Sequence, residues 1–470
     1  MDASTPPEGE SPELSADLTV RATLPRSIGL SLAINAVPDA YLLLDSPHCA
    51  FRRLAYIQGN HDLESTLTTF PGLPRVTNTE LSPLKVIKNR DADLREQLLV
   101  LASRPASGAV LVDAVAMAQI TATDYGRLCD DVAHETGRPV LAVPHRSLTS
   151  DYLTAYADVT EALAAGLPLS PRRSGTRRRV AIVGYLWDRN EGDHRANRLE
   201  LHRLFQALDL DLVAVWLSGQ TTAELQRVQE ADLIISLPYG RRAATVLADR
   251  LGCQLVRGEV PFGVAATLRF LFTLGAATGR EAAALRFAEQ ELAAVLPKLK
   301  WAVPFAFLHR RLGYVGDPHL YVGMRDLAAL LGCSLRFAAF TNLPRHARDA
   351  EASTPSPPSS LDLPADIRLL LGEAVPPEPA TILSYPHARE LEQTLERLGR
   401  DQELDLLVTN SFGFLTRRMG IVELGFPSYH SHALAERPFL GTRGALSVVE
   451  RMMEALRAFE VRAARGDPDA

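Results

Sequence analysis

Cysteine is scarce in this chain. Its 470 residues hold four, Cys49, Cys129, Cys253 and Cys333, and no two stand in a CxxC spacing. A self-contained zinc or iron–sulfur site draws several thiolates from close positions, so this chain alone encodes none. Four unpaired thiols fit a reducing compartment. Long apolar runs are missing too: none reaches the roughly 18–20 residues that cross a bilayer. The opening MDASTPPEGESPELSAD is acidic and proline-rich, opposite in character to a secretion signal. It reads as the disordered tail of a cytoplasmic protein. Positive charge is not in excess, with 50 Lys and Arg against 56 Asp and Glu, which speaks against a nucleic-acid partner. The basic clusters PRRSGTRRR (171–179) and RHAR (345–348) read as solvated linker charge. There is no GxxxxGK[ST] loop, no GxGxxG and no GxSxG. Their absence argues against P-loop nucleotide hydrolysis, a dinucleotide dehydrogenase and an α/β-hydrolase.

What is present is a repeated alternation of short apolar strands and amphipathic helices. Strands are predicted at 41–45, 109–113 and 139–143, then 179–184, 212–216 and 232–236, then 311–316, 335–340 and 404–409. Their continuous Leu, Val and Ile runs suit strands buried on both faces, and strand–helix alternation makes the sheets parallel. The expected fold is α/β: three Rossmann-like domains, each a parallel sheet flanked by helices, around a central cleft. After a tail at 1–20, the domains are expected at 21–170, 177–298 and 299–443, with a low-complexity insertion at 346–364. A last helix at 444–470 is expected to pack back on the core.

Ligands of parallel sheets bind beyond the carboxyl ends of the strands. Four segments there are rich in chemistry: DSPHC (45–49), GYLWDRNEGDH (184–194), SLPYGRR (236–242) and GYVGDPH (313–319). Their candidates for the cleft wall are Asp188, Arg189, His194, Tyr239, Asp317 and His319. Asp193 could equally cap a helix beginning near residue 195. Gly316 precedes a helix start that could receive an anion. The segment GFPSYHSHALAERPFLGTRGAL (425–446) crowds glycines, prolines, aromatics and two histidines before the final helix, and adds His430 to the candidates. Cys129, Cys253 and Cys333 read as core residues. Cys49 reads either as a small packed side chain or as a ligand.

The Pro-preceded Cys49, the three α/β units and GFPSYHSH…RPFLGTRGALSVVERMMEAL resemble the nitrogenase component 1 superfamily. That superfamily includes the nitrogenase catalytic subunits, the cofactor-assembly scaffold and the dark-operative protochlorophyllide and chlorophyllide reductases. Gly425-Phe426-Pro427 and Gly441, Arg443, Gly444 and Ala445 carry the resemblance most specifically. Thr442 stands where the family commonly has Tyr, and Ser46 where it commonly has Gly. The family's catalytic α-type subunits have three cluster cysteines in the first domain, whereas nothing between Cys49 and Cys129 is a thiol here. Ser236 falls about where nitrogenase proper has its cofactor cysteine. The resemblance therefore implies a β-type subunit that binds no iron–molybdenum-type cofactor. It implies that Cys49, preceded by Pro47, gives one thiolate to a 4Fe–4S cluster shared with a cysteine-rich α-type sister subunit, as a heterodimer or α2β2. It further implies a transient iron–sulfur reductase that alone binds ATP. Catalytic roles would fall to Asp188, Arg189, His194, Asp317, His319 and His430, with Tyr239 at the cofactor. The alternatives are a non-catalytic scaffold for metallocofactor or tetrapyrrole assembly and a cluster-free binding subunit.

Overall fold

The structure, a computed structural model, describes residues 22–67, 74–121, 123–147, 149–170, 178–343, 345, 346, 348, 349, 367, 381–384, 388–413 and 418–466. The 346–364 insertion lies almost wholly outside these residues, as does the 1–20 tail.

Thirteen strands fall into three sheets among the described residues. The first holds β1 (Ala40–Asp45), β2 (Val76–Asn78), β3 (Ala109–Ala114) and β4 (Val140–Ala142), in the order β2-β1-β3-β4. The second holds β5 (Arg179–Val183), β6 (Asp211–Val215), β7 (Leu233–Ser236) and β8 (Gln254–Arg257), in the order β6-β5-β7-β8. The third holds β9 (Arg311–Gly316), β10 (Ser334–Phe340), β11 (Thr381–Ser384), β12 (Leu406–Thr409) and β13 (Gly420–Glu423), in the order β11-β10-β9-β12-β13. Every ladder is parallel. β1 and β3 are buried along their whole length, as strands covered by helices on both faces must be.

The strand order places the clefts. In each sheet the earliest strand lies centrally, with its chain running first to one side and then to the other. The order reverses between β1 and β3, between β5 and β7, and between β9 and β12. Helices leave to opposite faces at such a point and open a crevice at the carboxyl edge. The DSPHC, GYLWDRN, SLPYGRR and GYVGDPH segments all follow strands that flank these three reversals.

Close contacts at glycines fix the packing, one within the first unit and one between the second unit and the final helix. A Cβ on Gly29, in the Arg26–Asn35 helix, would sit 1.8 Å from the Tyr152 carbonyl oxygen in the Tyr152–Gly166 helix. At the start of the Gly441–Ala464 helix, Gly441 has φ +71° and a Cβ there would meet Glu200 at 2.4 Å. The glycines of the GTRGAL segment thus serve a tight approach between the second unit and the final helix. Thr442 is fully buried and donates to Glu291, which also accepts two hydrogen bonds from Arg203 at 2.7 Å.

Candidate functional site

Asp45 closes β1 as a fully buried carboxylate. It accepts two hydrogen bonds from Arg90 at 2.6 and 2.7 Å, one from Thr79 at 2.6 Å and one from Tyr125 at 2.5 Å. Burial opposes its charge, but these partners outweigh burial and hold the carboxyl below its ordinary range. Pro47 then turns the chain into the His48–His61 helix, and Cys49 stands exposed in the first turn. Cys129 and Cys333 are buried and Cys253 is half-buried. Burial pushes their thiols up to about 12, 12 and 11 respectively. These three are core residues, as their positions at a helix face and at helix–strand junctions predicted.

Where the three sheet edges meet lie two cavities that share Tyr239 as a wall. The smaller, about 30 Å³, is faced by His61, Asp188, Arg189, His194, Glu423 and Arg451 among others. That volume holds about one water. Asp188 sits 2.7 Å from His194 Nε2 and 3.4 Å from His61 Nε2. Burial works against an ion there, yet the two rings outweigh it: the Asp188 carboxyl lies well below its ordinary value and His194 lies above its own. His194 Nδ1 reaches the Tyr185 hydroxyl at 2.7 Å. His61 Nδ1 accepts from the Ser428 N–H at 2.9 Å, so a neutral His61 carries its proton on Nε2, toward Asp188. Arg189 donates to Asp193 and to the Ser431 carbonyl at 2.9 Å. The helix here begins at Gly192, three residues earlier than predicted, so Asp193 does not cap it but pairs with Arg189.

The larger cavity, about 450 Å³, has His319, His346 and six arginines on its wall. Asp317 stands behind Tyr239, accepting from its hydroxyl at 2.8 Å and from the His319 N–H at 2.8 Å. Asp317 therefore caps the Pro318–Leu330 helix itself, and its carboxylate takes the place the sequence left open for an external anion. Burial, opposed only by neutral donors and the more distant His346, pushes Asp317 up to about 6. Burial, with His346 and Arg241 nearby, pushes His319 down to about 3. The RHAR cluster is not solvated linker charge: Arg345 donates to Thr154, and His346 lies 2.9 Å from Asp151.

The predicted residues thus divide. Asp188, Arg189, His194 and Tyr239 share the small cavity, and Tyr239 and His319 share the large one. Asp317, buried behind Tyr239, lines neither cavity, and His430 also departs from the expectation of a cleft wall. His430 is exposed, lines neither cavity and lies 3.2 Å from Glu423. Cys49 also lines neither cavity and opens on the outer surface. Sequence reasoning missed His61, Glu423 and Arg257, whereas Glu191 and Arg241 lie in segments it singled out, GYLWDRNEGDH and SLPYGRR. His61 ends an ordinary amphipathic helix and Arg257 lies on a short edge strand, so neither position carried a motif.

Charged side chains gathered between three parallel sheets lie where ligands of such sheets bind. Residues 26–457 match the family of nitrogenase component 1 type oxidoreductases, and the chain belongs to that family. The fold is similar to the solved "Nitrogenase Cp1 at pH 6.5", with TM-score 0.74, 16% identity and 94% of each chain covered. It is also similar to "Nitrogenase Cp1 at pH 5", with TM-score 0.67, 14% identity, and 96% of this chain and 91% of that one covered. No curated protein matches the chain. Among the described residues no helix is long and apolar enough to cross a membrane.

Proposed function

We propose that this chain is the single-ligand subunit of a nitrogenase-like oxidoreductase, with Cys49 as one ligand of a 4Fe–4S cluster shared with a cysteine-rich sister subunit. The observation that carries the reading is that Cys49 alone of the four thiols is exposed. A shared cluster needs a thiolate that another chain can reach, held on a rigid element. The buried Asp45–Arg90–Thr79–Tyr125 cluster anchors the strand end four residues before Cys49 in sequence. Among the described residues no three His, Cys, Asp or Glu side chains converge as a metal site; the reading assigns the remaining ligands to the sister subunit.

The surroundings of Cys49 suit a covered surface. Leu84, Ile87 and Ile120 follow β2 and β3 at the same carboxyl edge and are 73%, 81% and 78% exposed. Apolar side chains grouped beside a ligand position fit a subunit interface. A bound cluster would supply one-electron storage between an ATP-dependent iron–sulfur reductase and the substrate. The chain's own residues fix the thiol, exclude water and hold protons at the cleft. Behind the Tyr239 wall, Asp317, raised toward neutrality, is the residue suited to hold one, and the neutral His319 ring lies on the wall of the larger cavity.

Anaerobic co-purification with the sister chain, followed by iron and sulfide assay and EPR after dithionite reduction, tests the reading. About four iron per heterodimer are expected, lost in Cys49→Ala and kept in Cys129→Ala. A stable complex whose iron content and EPR signal are the same in Cys49→Ala would remove Cys49 from the cluster.

A further inference from the structure

The larger cavity carries more positive charge than its surroundings neutralise. Arg26, Arg146 and Arg242 are matched by carboxylates: Arg26 bonds Asp113 at 2.9 Å and also Asp158, Arg146 bonds Glu161 at 2.6 Å, and Arg242 bonds Glu161 at 2.7 Å. Three further guanidiniums have no carboxylate among the described residues, and of these Arg345 donates to the Thr154 hydroxyl. Arg241, at the start of the Arg241–Leu251 helix, donates only to carbonyls, those of Ser236 and of Gly258, the latter at 2.7 Å. Arg257, at the end of β8, is exposed, and its guanidinium makes no hydrogen bond or ion pair among the described residues. Asp349 also lies on the wall but bonds to neither. Burial and the repulsion of Arg257 bring Arg241 down to about 10. Beside them, the buried Nδ1 of His319 and the buried hydroxyl of Ser236 have no hydrogen-bond partner.

We propose that this cavity binds a small organic molecule bearing at least two anionic groups, carboxylate or phosphate, which bridges Arg241 and Arg257 and hydrogen-bonds His319. The inference rests on the proposed oxidoreductase reading and names the class of molecule its cleft would hold. Guanidinium forks match carboxylate and phosphate oxygens in geometry as well as charge. A neutral gas or hydrocarbon would leave both guanidinium charges without a counter-anion. The volume, about 450 Å³, suits a molecule of metabolite size.

Titration calorimetry on the co-purified complex, with citrate and with pyrophosphate as probes, tests the proposal. One probe is expected to bind once per chain, weakened at least tenfold in Arg257→Gln and further weakened by salt. Arg257 is exposed, so this variant keeps its fold, and Arg241→Lys serves as the second. Preference for citrate assigns carboxylates to the ligand, and preference for pyrophosphate assigns phosphates. Binding of neither probe, or binding unchanged in both variants, overturns the proposal. Cys49→Ala separates the two claims. A wild-type complex whose iron is lost in Cys49→Ala but which binds neither anion sinks only the ligand class, whereas anion binding with iron content untouched by the Cys49 substitution sinks only the cluster ligand.

Discussion

Asp188, on the wall of the smaller cavity, and Asp317, behind Tyr239, are both buried aspartates, and their carboxyl groups are displaced in opposite directions. The cause lies in their partners. Asp188 faces two imidazoles that hold it ionised, whereas Asp317 accepts from a phenol and a backbone N–H and bears the cost of burial. Asp317 lies near 6 in the fold and near 3.8 when unfolded, so between those values the native state binds more protons. Its contribution to stability is complete below the unfolded value and is lost as pH rises toward 6. The loss is on the order of 2–3 kcal/mol, at about 1.4 kcal/mol per pH unit of displacement. Asp317→Asn keeps the shape and cannot ionise. Relative to wild type it should therefore gain stability between pH 4 and 6 and hold a constant advantage above that. His319, depressed to about 3, acts in the other direction but is common to both proteins and cancels. Urea midpoints at pH 4, 5, 6 and 7 give the difference directly, and a difference constant over that range would show that Asp317 does not titrate there. The same substitution should lower turnover while leaving the iron content of the complex intact.

At the scale of elements, nine strands lie within two residues of where continuous apolar runs predicted them. The four that went unread, β2, β8, β11 and β13, are all sheet edges of three or four residues. An edge strand has one neighbour and can carry polar side chains. Gln254-Leu255-Val256-Arg257 is exposed over most of its length and shows no apolar run. The site was legible to the same extent: loops after the central strands announced themselves by polar density, while Arg257 on an edge strand and His61 at a helix end did not. Glycines were legible as motif members but not for their reason. Gly441 and Gly137 both have left-handed φ, +71° and +67°, but only Gly441 meets a close neighbour, Glu200 at 2.4 Å. Gly137→Ala should cost about 1 kcal/mol from backbone conformation alone. Gly441→Ala should cost about 3 kcal/mol, because the added methyl must also displace a carboxylate bonded to Arg203. Urea unfolding of the two variants compares them, and equal losses would mean that the Glu200 contact is not tight.

Across the whole molecule, the loop after β5 is where the three units are tied. Glu191 Oε1 accepts from the Leu63 N–H at 3.2 Å and lies 2.8 Å from His432 Nδ1, while Oε2 accepts from the Ala433 N–H at 2.7 Å. One buried carboxylate of the second unit thus meets the first and the third. Asp62 reinforces the first of these contacts by accepting from Asn190 at 2.9 Å and from Asn35 at 2.6 Å. Burial raises the cost of charge on Glu191, but Ala433, His432 and Arg189 outweigh it and hold the carboxyl below its ordinary range. All of these contacts are acceptor roles, and that makes the tie sensitive to a change that preserves volume. In Glu191→Gln one oxygen becomes an NH₂ group, which must face the N–H of either Ala433 or Leu63, donor against donor. The loss should be about 2 kcal/mol, the cost of a buried donor left unsatisfied together with the lost charge on Arg189. Because the tie spans the units, the loss should appear far from the substitution. Hydrogen exchange should quicken in residues 62–66 and 430–435 as well as in 189–195. Faster exchange confined to 189–195 would make Glu191 a local stabiliser of its own loop, and would leave Asp62 and the His61–Ser428 contact as the bonds that hold the cleft closed.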